Sequence, residues 1–216
     1  MAVISKEKAV GIIHNSAVSF DNNLSGNNVL FVAADNNTPA CYEMLFLPQN
    51  FLHLTGMRTN LNSEAFYRAA LNKGLSPASI EYDPGGASEL KLEILPRIMT
   101  IHTTARMIGV YDNSRPLLVA DKFAGTVTMA MGFISVNGLY IPNTALKIDV
   151  RDITIKATRQ RIAAVFIKRR GDILYNHLTY IAKGVSIDDE IFSSILREKV
   201  DKHCLGTLPS ASNDSQ

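Results

Sequence analysis

The chain has 216 residues, of which 46% are hydrophobic and 19% charged, enough apolar material for a sizeable core in one domain. No run reaches the apolar length of a membrane span, and residues 1–20 lack the basic start, apolar centre and small-residue cleavage site of a secretory leader. The formal net charge of +2 excludes little, and the two cysteines, Cys41 and Cys204, have no metal-ligand spacing, so a cytoplasmic protein in a reducing compartment is expected, with no metal and no cofactor.

Ser5 is placed to cap an amphipathic helix over residues 5–21, with Val10, Ile13, Ala17 and Phe20 at helical spacing. A hairpin comes next, Val29 to Ala34 and Cys41 to Thr55, its second strand bent at Pro48. At the end of that strand the period of two puts Leu52 and Leu54 on one face, and Phe51, His53 and Thr55 on the other, before Gly56 turns the chain. A proton carrier and a hydroxyl then share a face. A single strand histidine is more often a hydrogen-bonded or half-exposed side chain than a catalyst, so the pair gains force only from partners elsewhere in the chain.

Ser63 caps a helix to about Asn72. Alternating Leu90, Leu92 and Ile94 predict a short strand, and Pro96 opens a helix with Ile98, Ile101, Ala105 and Ile108 inward; His102 and Arg106 share its polar outer face. From Leu117 the chain is read as β. Met129, Met131 and Phe133 lie on one face, Asn137-Gly138 makes a hairpin turn, and Pro142-Asn143-Thr144 marks a bulge. A last hairpin pairs Arg161 to Lys168 with Leu174 to Lys183 across Arg169-Arg170-Gly171-Asp172, with Tyr175, His177 and Thr179 on one face. The predicted organisation is a domain over residues 1–184, a C-terminal helix over 185–205 and a disordered tail over 206–216.

Charge is informative locally. Between Lys147 and Arg170 stand eight basic residues (Lys147, Arg151, Lys156, Arg159, Arg161, Lys168, Arg169 and Arg170) against Asp149 and Asp152, a band that attracts polyanions or, more plainly, solvates one face. Imidazole, hydroxyl and cation together suit cleavage of RNA without a metal, where a base takes the ribose 2′-hydroxyl proton, an acid protonates the leaving 5′-oxygen and cations hold the phosphorus oxygens. No magnesium-binding carboxylate cluster, Walker loop, dinucleotide fingerprint or nucleophile elbow is present.

The ordered set His53-Leu54-Thr55-Gly56, Met107-Ile108-Gly109, Lys122 to Gly125, Pro142-Asn143-Thr144 with Lys147-Ile148-Asp149-Val150-Arg151, and Leu174-Tyr175 with Leu178-Thr179-Tyr180-Ile181-Ala182-Lys183 resembles the fourth phage-borne type of barnase/EndoU/colicin/RelE-like (BECR) nucleases of phages and other mobile genetic elements. The resemblance spans roughly residues 31–184. It implies an α+β fold, with N-terminal and mid-chain helices on a curved antiparallel sheet, and a toxin- or effector-like endoribonuclease, a hydrolase needing no metal. Carried over by motif, His53 and Thr55 fall at the active centre, Lys147 and Arg151 face phosphate, and Tyr175 and Thr179 lie on the last strand. His177, a second imidazole read from the residues and not implied by the resemblance, completes the set, or else Lys147, Tyr175 or Tyr180 supplies the acid. Arg106, Lys122, Arg159, Arg161, Lys168, Arg169 and Arg170 are expected on RNA, tRNA or another structured RNA. A cognate inhibitor or host protein is the other partner implied, and a membrane is not.

Two other readings use the same residues. A binding module of a mobile element needs only the cationic band, without catalysis, to hold RNA or a protein. The His53-Thr55-Gly56 run and the helix ending near Gly74 also resemble the start of ADP-ribosyltransferase-like domains, in which the imidazole holds the nicotinamide ribose of NAD, but no glutamate stands where that chemistry needs one.

Overall fold

Two strands apolar on both faces decide the architecture. In the computed structural model, which describes residues 4–35, 38–113, 118–186 and 190–205, β1 (Asn28–Asp35) sends Val29, Phe31 and Ala33 into the main core and Leu30 and Val32 into a second one. β7 (Gln160–Lys168) does the same with Ile162, Val165 and Ile167 against Ala164 and Phe166. Such strands are stable only when covered on both sides.

The remaining strands are β2 (Thr38–Leu45), β3 (Met107–Val110), β4 (Lys122–Gly125), β5 (Ala130–Val136), β6 (Leu139–Leu146) and β8 (His177–Ile181). They pair in the order β1-β2-β6-β5-β4-β3-β7-β8, and β1 also pairs with β7, so seven strands close into a ring and β8 is added outside it on β7. Between these strands, among the described residues, every pairing is antiparallel except the parallel bridge of Met44 to Tyr140, where β2 meets β6. The fold is the α+β, BECR-like arrangement the motifs imply, with its curved sheet carried to closure.

α1 (Lys6–Asn23), α2 (Phe51–Thr55), α3 (Ser63–Leu71), α4 (Ala87–Ile98) and α5 (Ile101–Thr104) contribute to the main core. Its aromatic centre is Phe20 against Phe46, Phe51 and Tyr67. The second core, on the other face of β1 and β7, is covered by Phe192 and Leu196 of α6 (Glu190–Leu196) and by Val200, ahead of α7 (Lys202–Leu205). The C-terminal helix expected from sequence is thus two short helices, interrupted where Val200 bridges to Tyr175; the expected tail lies outside the described residues.

Several local expectations are met. Ser5 accepts the Lys8 amide at 3.3 Å, Asn137 and Gly138 both have positive φ (51° and 82°), and the register slips between Gly132 and Phe133, opposite Asn143. Two strands are helices instead. Residues 51–55 form α2 because Pro48 starts a helical turn just before them, and Phe51, Leu54 and Thr55 are buried at helical spacing. Residues 90–94 lie within α4, where Leu92, Leu95 and Ile98 face the core. Short apolar runs do not distinguish the two periods.

Gly125 shows how tightly the ring closes at β4: a Cβ there would collide with the Met129 carbonyl oxygen and stand 2.8 Å from Ala130 Cα, both backbone atoms. Its carbonyl also accepts the Arg106 amide at 2.9 Å. Gly125→Ala is expected to cost about 1–3 kcal/mol through overpacking, and thermal unfolding followed by circular dichroism will show a fall of several degrees; an unchanged midpoint would mean the β4–β5 corner is looser than described.

Candidate active site

His53 and Thr55 part company in three dimensions. Thr55 is fully buried; its hydroxyl donates to the Leu52 carbonyl at 2.8 Å and accepts the Met57 amide at 3.1 Å, closing the helix end before Gly56 at φ 68°. It holds the turn and is closed to substrate. His53 is exposed, and its carbonyl accepts the ammonium of Lys91 at 2.9 Å. Burial pushes the pKa of Lys91 down, with Asp83 opposing. Lys91 and Lys147 line one cleft of about 300 Å³ between α4 and the end of β6, with Leu118, Leu146 and Ile153 as apolar walls. Lys147 is ion-paired with Glu93.

A second cluster forms where α5 packs on β8. The Thr179 hydroxyl donates to the carbonyls of His102 at 3.0 Å and Val165 at 3.2 Å, so it fastens the helix to the strand. His102 is 8% exposed, and its Nδ1 is buried without a hydrogen-bond partner. Desolvation lowers its pKa below the ordinary 6.5, and His177 lies near enough that its charge opposes a proton there too. His177, paired with Ile167 at the start of β8, is exposed on the same helix-covered side. Arg106 stacks over Tyr180, 4.1 Å from the ring centroid, and donates to the carbonyls of Thr103 and Ala105. With Arg151 it lines a small adjoining cleft of about 110 Å³. Arg151 holds Asp149 through both carboxylate oxygens, which keeps Asp149 below its usual range.

The other expected residues scatter. Tyr175 is 2% exposed and precedes β8; its hydroxyl donates to Glu43 at 3.2 Å, and burial and that carboxylate raise its pKa, so it belongs to the second core. Burial alone would raise Glu43, but Lys199 holds it below its ordinary value. Arg159 is occupied by the Thr154 hydroxyl and the carbonyls of Arg151 and Thr154, and Arg161 by the Lys183 carbonyl. Lys168 stacks on Tyr175, 4.9 Å from its centroid. It lines, with the exposed Arg169 and Arg170, an open cleft of about 650 Å³ beside Ser25–Asn28. Lys122 lies over the rings of Tyr42 and Tyr140. A bulge at Thr179 also corrects the face pattern, since Tyr180 pairs with Val165 and Leu178 with Phe166, on opposite sides of the sheet.

Residues 12–184 match the family model described as "phage-Barnase-EndoU-ColicinE5/D-RelE like nuclease4". The chain belongs to this nuclease family. No curated protein and no solved structure matches it. A BECR nuclease acts on nucleic acid. Among the described residues no helix is long and apolar enough to cross a membrane, and no three His, Cys, Asp or Glu side chains are grouped to hold a metal ion.

Much of the motif set turns out to build the nuclease fold. In the His53 to Gly56 stretch Leu54, Thr55 and Gly56 make a helix end and only His53 faces solvent, which also removes the strand-borne histidine on which the ADP-ribosyltransferase likeness rested. Sequence spacing missed Lys91 and Glu93 because their segment read as a strand, and His102 because its helix face read as solvated. The helix ends at Thr104, so His102 and Arg106 share no helix face. The signal for His102 was the apolar Ile98 and Ile101 before it, which turn that face inward.

His102 makes a pH prediction. Its folded pKa lies below the unfolded one, so the unfolded chain binds its proton first on acidification; the stability it contributes is full above about pH 6.5 and is lost as pH falls through the depressed value. Between pH 7.5 and 5 the unfolding midpoint of His102→Leu should fall less than that of the natural chain. Parallel curves would show that the imidazole is not desolvated.

Proposed function

We propose that this BECR nuclease cleaves RNA without a metal ion, by attack of a ribose 2′-hydroxyl on the adjacent phosphodiester, on the ledge formed by α5 and β8. The observation that carries the reading is the mostly buried imidazole of His102, its Nδ1 without a hydrogen-bond partner, beside the solvent-facing His177, with Arg106 and Arg151 lining the next cleft. Paired titratable groups whose environments set them apart divide acid and base roles between them. His102, kept neutral by its surroundings, takes the 2′-hydroxyl proton on Nε2, its Nδ1 being closed off from solvent. The 2′-oxygen bonds to phosphorus, the bond from phosphorus to the 5′-oxygen breaks, and His177 gives that oxygen a proton. The guanidinium of Arg106, with Arg151 shared with Asp149, faces the charge that gathers on the phosphoryl oxygens. The products are a 2′,3′-cyclic phosphate and a 5′-hydroxyl.

A second reading has its own observation. Lys91 and Lys147 share a cleft large enough for a ribose and its phosphate, next to the exposed His53 and with Glu93 at its rim. It keeps His53 as the proton carrier and makes the ledge structural. The cytoplasm of a host cell is the compartment both readings use, and a cognate inhibitor is the partner a toxic nuclease needs.

The test is RNA cleavage in the presence of a chelator. His177→Ala and His102→Gln are each expected to lower kcat by about 10²–10⁴-fold, with cyclic phosphate ends on the residual product, and His53→Ala to stay within a few-fold of the natural chain. Loss confined to His53→Ala moves the chemistry to the Lys91–Lys147 cleft. Dependence on added metal, or RNA binding without cleavage in the natural chain, overturns the enzyme reading.

A further inference from the structure

One polar cluster is used by neither cleft. On β4, Lys122 pairs with Phe133, a main-core residue, so the two side chains share the inner face of the strand ring. Tyr42 of β2 pairs with Phe31, and Gln160 of β7 with Ile108, which puts both on that inner face as well. Tyr140 of β6 packs against the same core. These four come from strands that are not neighbours in the pairing order, apart from the single β2–β6 bridge, yet they touch across the ring. The Tyr42 hydroxyl donates to Gln160 Oε1 at 2.5 Å. The Lys122 ammonium is 4.9 Å from the Tyr42 ring and 5.9 Å from that of Tyr140, and the two rings meet edge to face at 5.8 Å. All four are half-buried.

The cluster has an imbalance. Lys122 is partly withdrawn from water and forms no ion pair among the described residues. Asp121, next to it in the chain, accepts the Ser135 amide at 2.6 Å. With Gln160 Oε1 taken by Tyr42, the Gln160 amide nitrogen, the ammonium and the Tyr140 hydroxyl are left as donors, beside two aromatic rings. Barrel mouths with a few convergent polar groups are habitual ligand sites. The partner this one fits is an anion that also carries a flat, acceptor-rich ring.

We propose that the mouth of the strand ring, at Tyr42, Lys122, Tyr140 and Gln160, is a subsite for one nucleotide of the substrate, with its phosphate on the Lys122 ammonium and its base against the tyrosine rings. The site deepens the nuclease reading by giving the substrate an unpaired nucleotide away from the cleaved bond, since a base held in a duplex stack cannot enter. Desolvation lowers the pKa of Lys122, with the nearby Asp121 charge opposing, and raises those of Tyr42 and Tyr140. The ammonium therefore loses its proton at a lower pH than a free lysine, and anion binding weakens correspondingly early as pH rises.

Calorimetric titration of the full chain with nucleoside 5′- and 3′-monophosphates, and separately with inorganic phosphate, tests the proposal. A nucleotide is expected to bind at least ten-fold more tightly than phosphate. Tyr140→Ala should lose about 5- to 150-fold, the range of one stacked base, while Lys122→Gln loses ten-fold or more and Lys122→Arg recovers most of it. Unfolding midpoints of the variants, and Tyr42→Phe as a milder change, separate a lost site from a lost fold. Equal affinity for phosphate and nucleotide overturns the base contact, and no binding, or binding unchanged in folded Lys122→Gln, overturns the site. Nucleotide binding at the mouth in a chain that cleaves no RNA leaves this proposal standing and the catalytic one fallen; RNA cleavage with KM unchanged by Lys122→Gln does the reverse.

Discussion

Everything in this molecule is arranged around β7, which is hydrogen-bonded along both edges and covered on both faces. One edge takes β1 from Asn28 to Ala34; the other takes β3 at its first two residues and β8 further along. Because β1 also holds β2, and β3 leads on through β4, β5 and β6 back to β2, the double pairing of one strand converts a sheet into a ring. Two register shifts within the ring, at Val32/Ala33 and Gly132/Phe133, supply the extra twist such closure requires.

Closure creates places for chemistry that an open sheet would not. β8 lies outside the ring and so presents His177 to solvent while its neighbour Thr179 is drawn onto α5. Inside the ring, polar residues of distant strands meet at the mouth. The helix-covered face and the face covered by the C-terminal segment are both filled with apolar side chains, which leaves cleft edges, strand ends and the ring mouth as the accessible polar surface. Each of these places carries a cation: Arg106 and Arg151, Lys91 and Lys147, Lys168 to Arg170, and Lys122.

Burial sets the electrostatic character of these groups more than direct pairing does. His102, Lys91 and Lys122 all have desolvation as the largest influence, and in each the charged form is disfavoured. Lys147 and Arg151, by contrast, stand in solvent-facing ion pairs, which are worth little to stability.

Much was legible in the residues alone: the family through its ordered set of motifs, and the N-terminal helix behind Ser5, the Asn137-Gly138 turn and the Pro142 bulge through local rules about caps, positive φ and a missing N–H. The role of a single side chain was not legible in that way. Thr55 and Tyr175 have the chemistry of site residues and spend it on a helix end and on Glu43; His102 looked solvated and is buried; Tyr42 and Gln160, 118 positions apart, carried no signal. Local conformation is written in neighbouring residues, whereas access to solvent, desolvation and the meeting of distant donors arise only when β7 joins both halves of the chain and the ring closes.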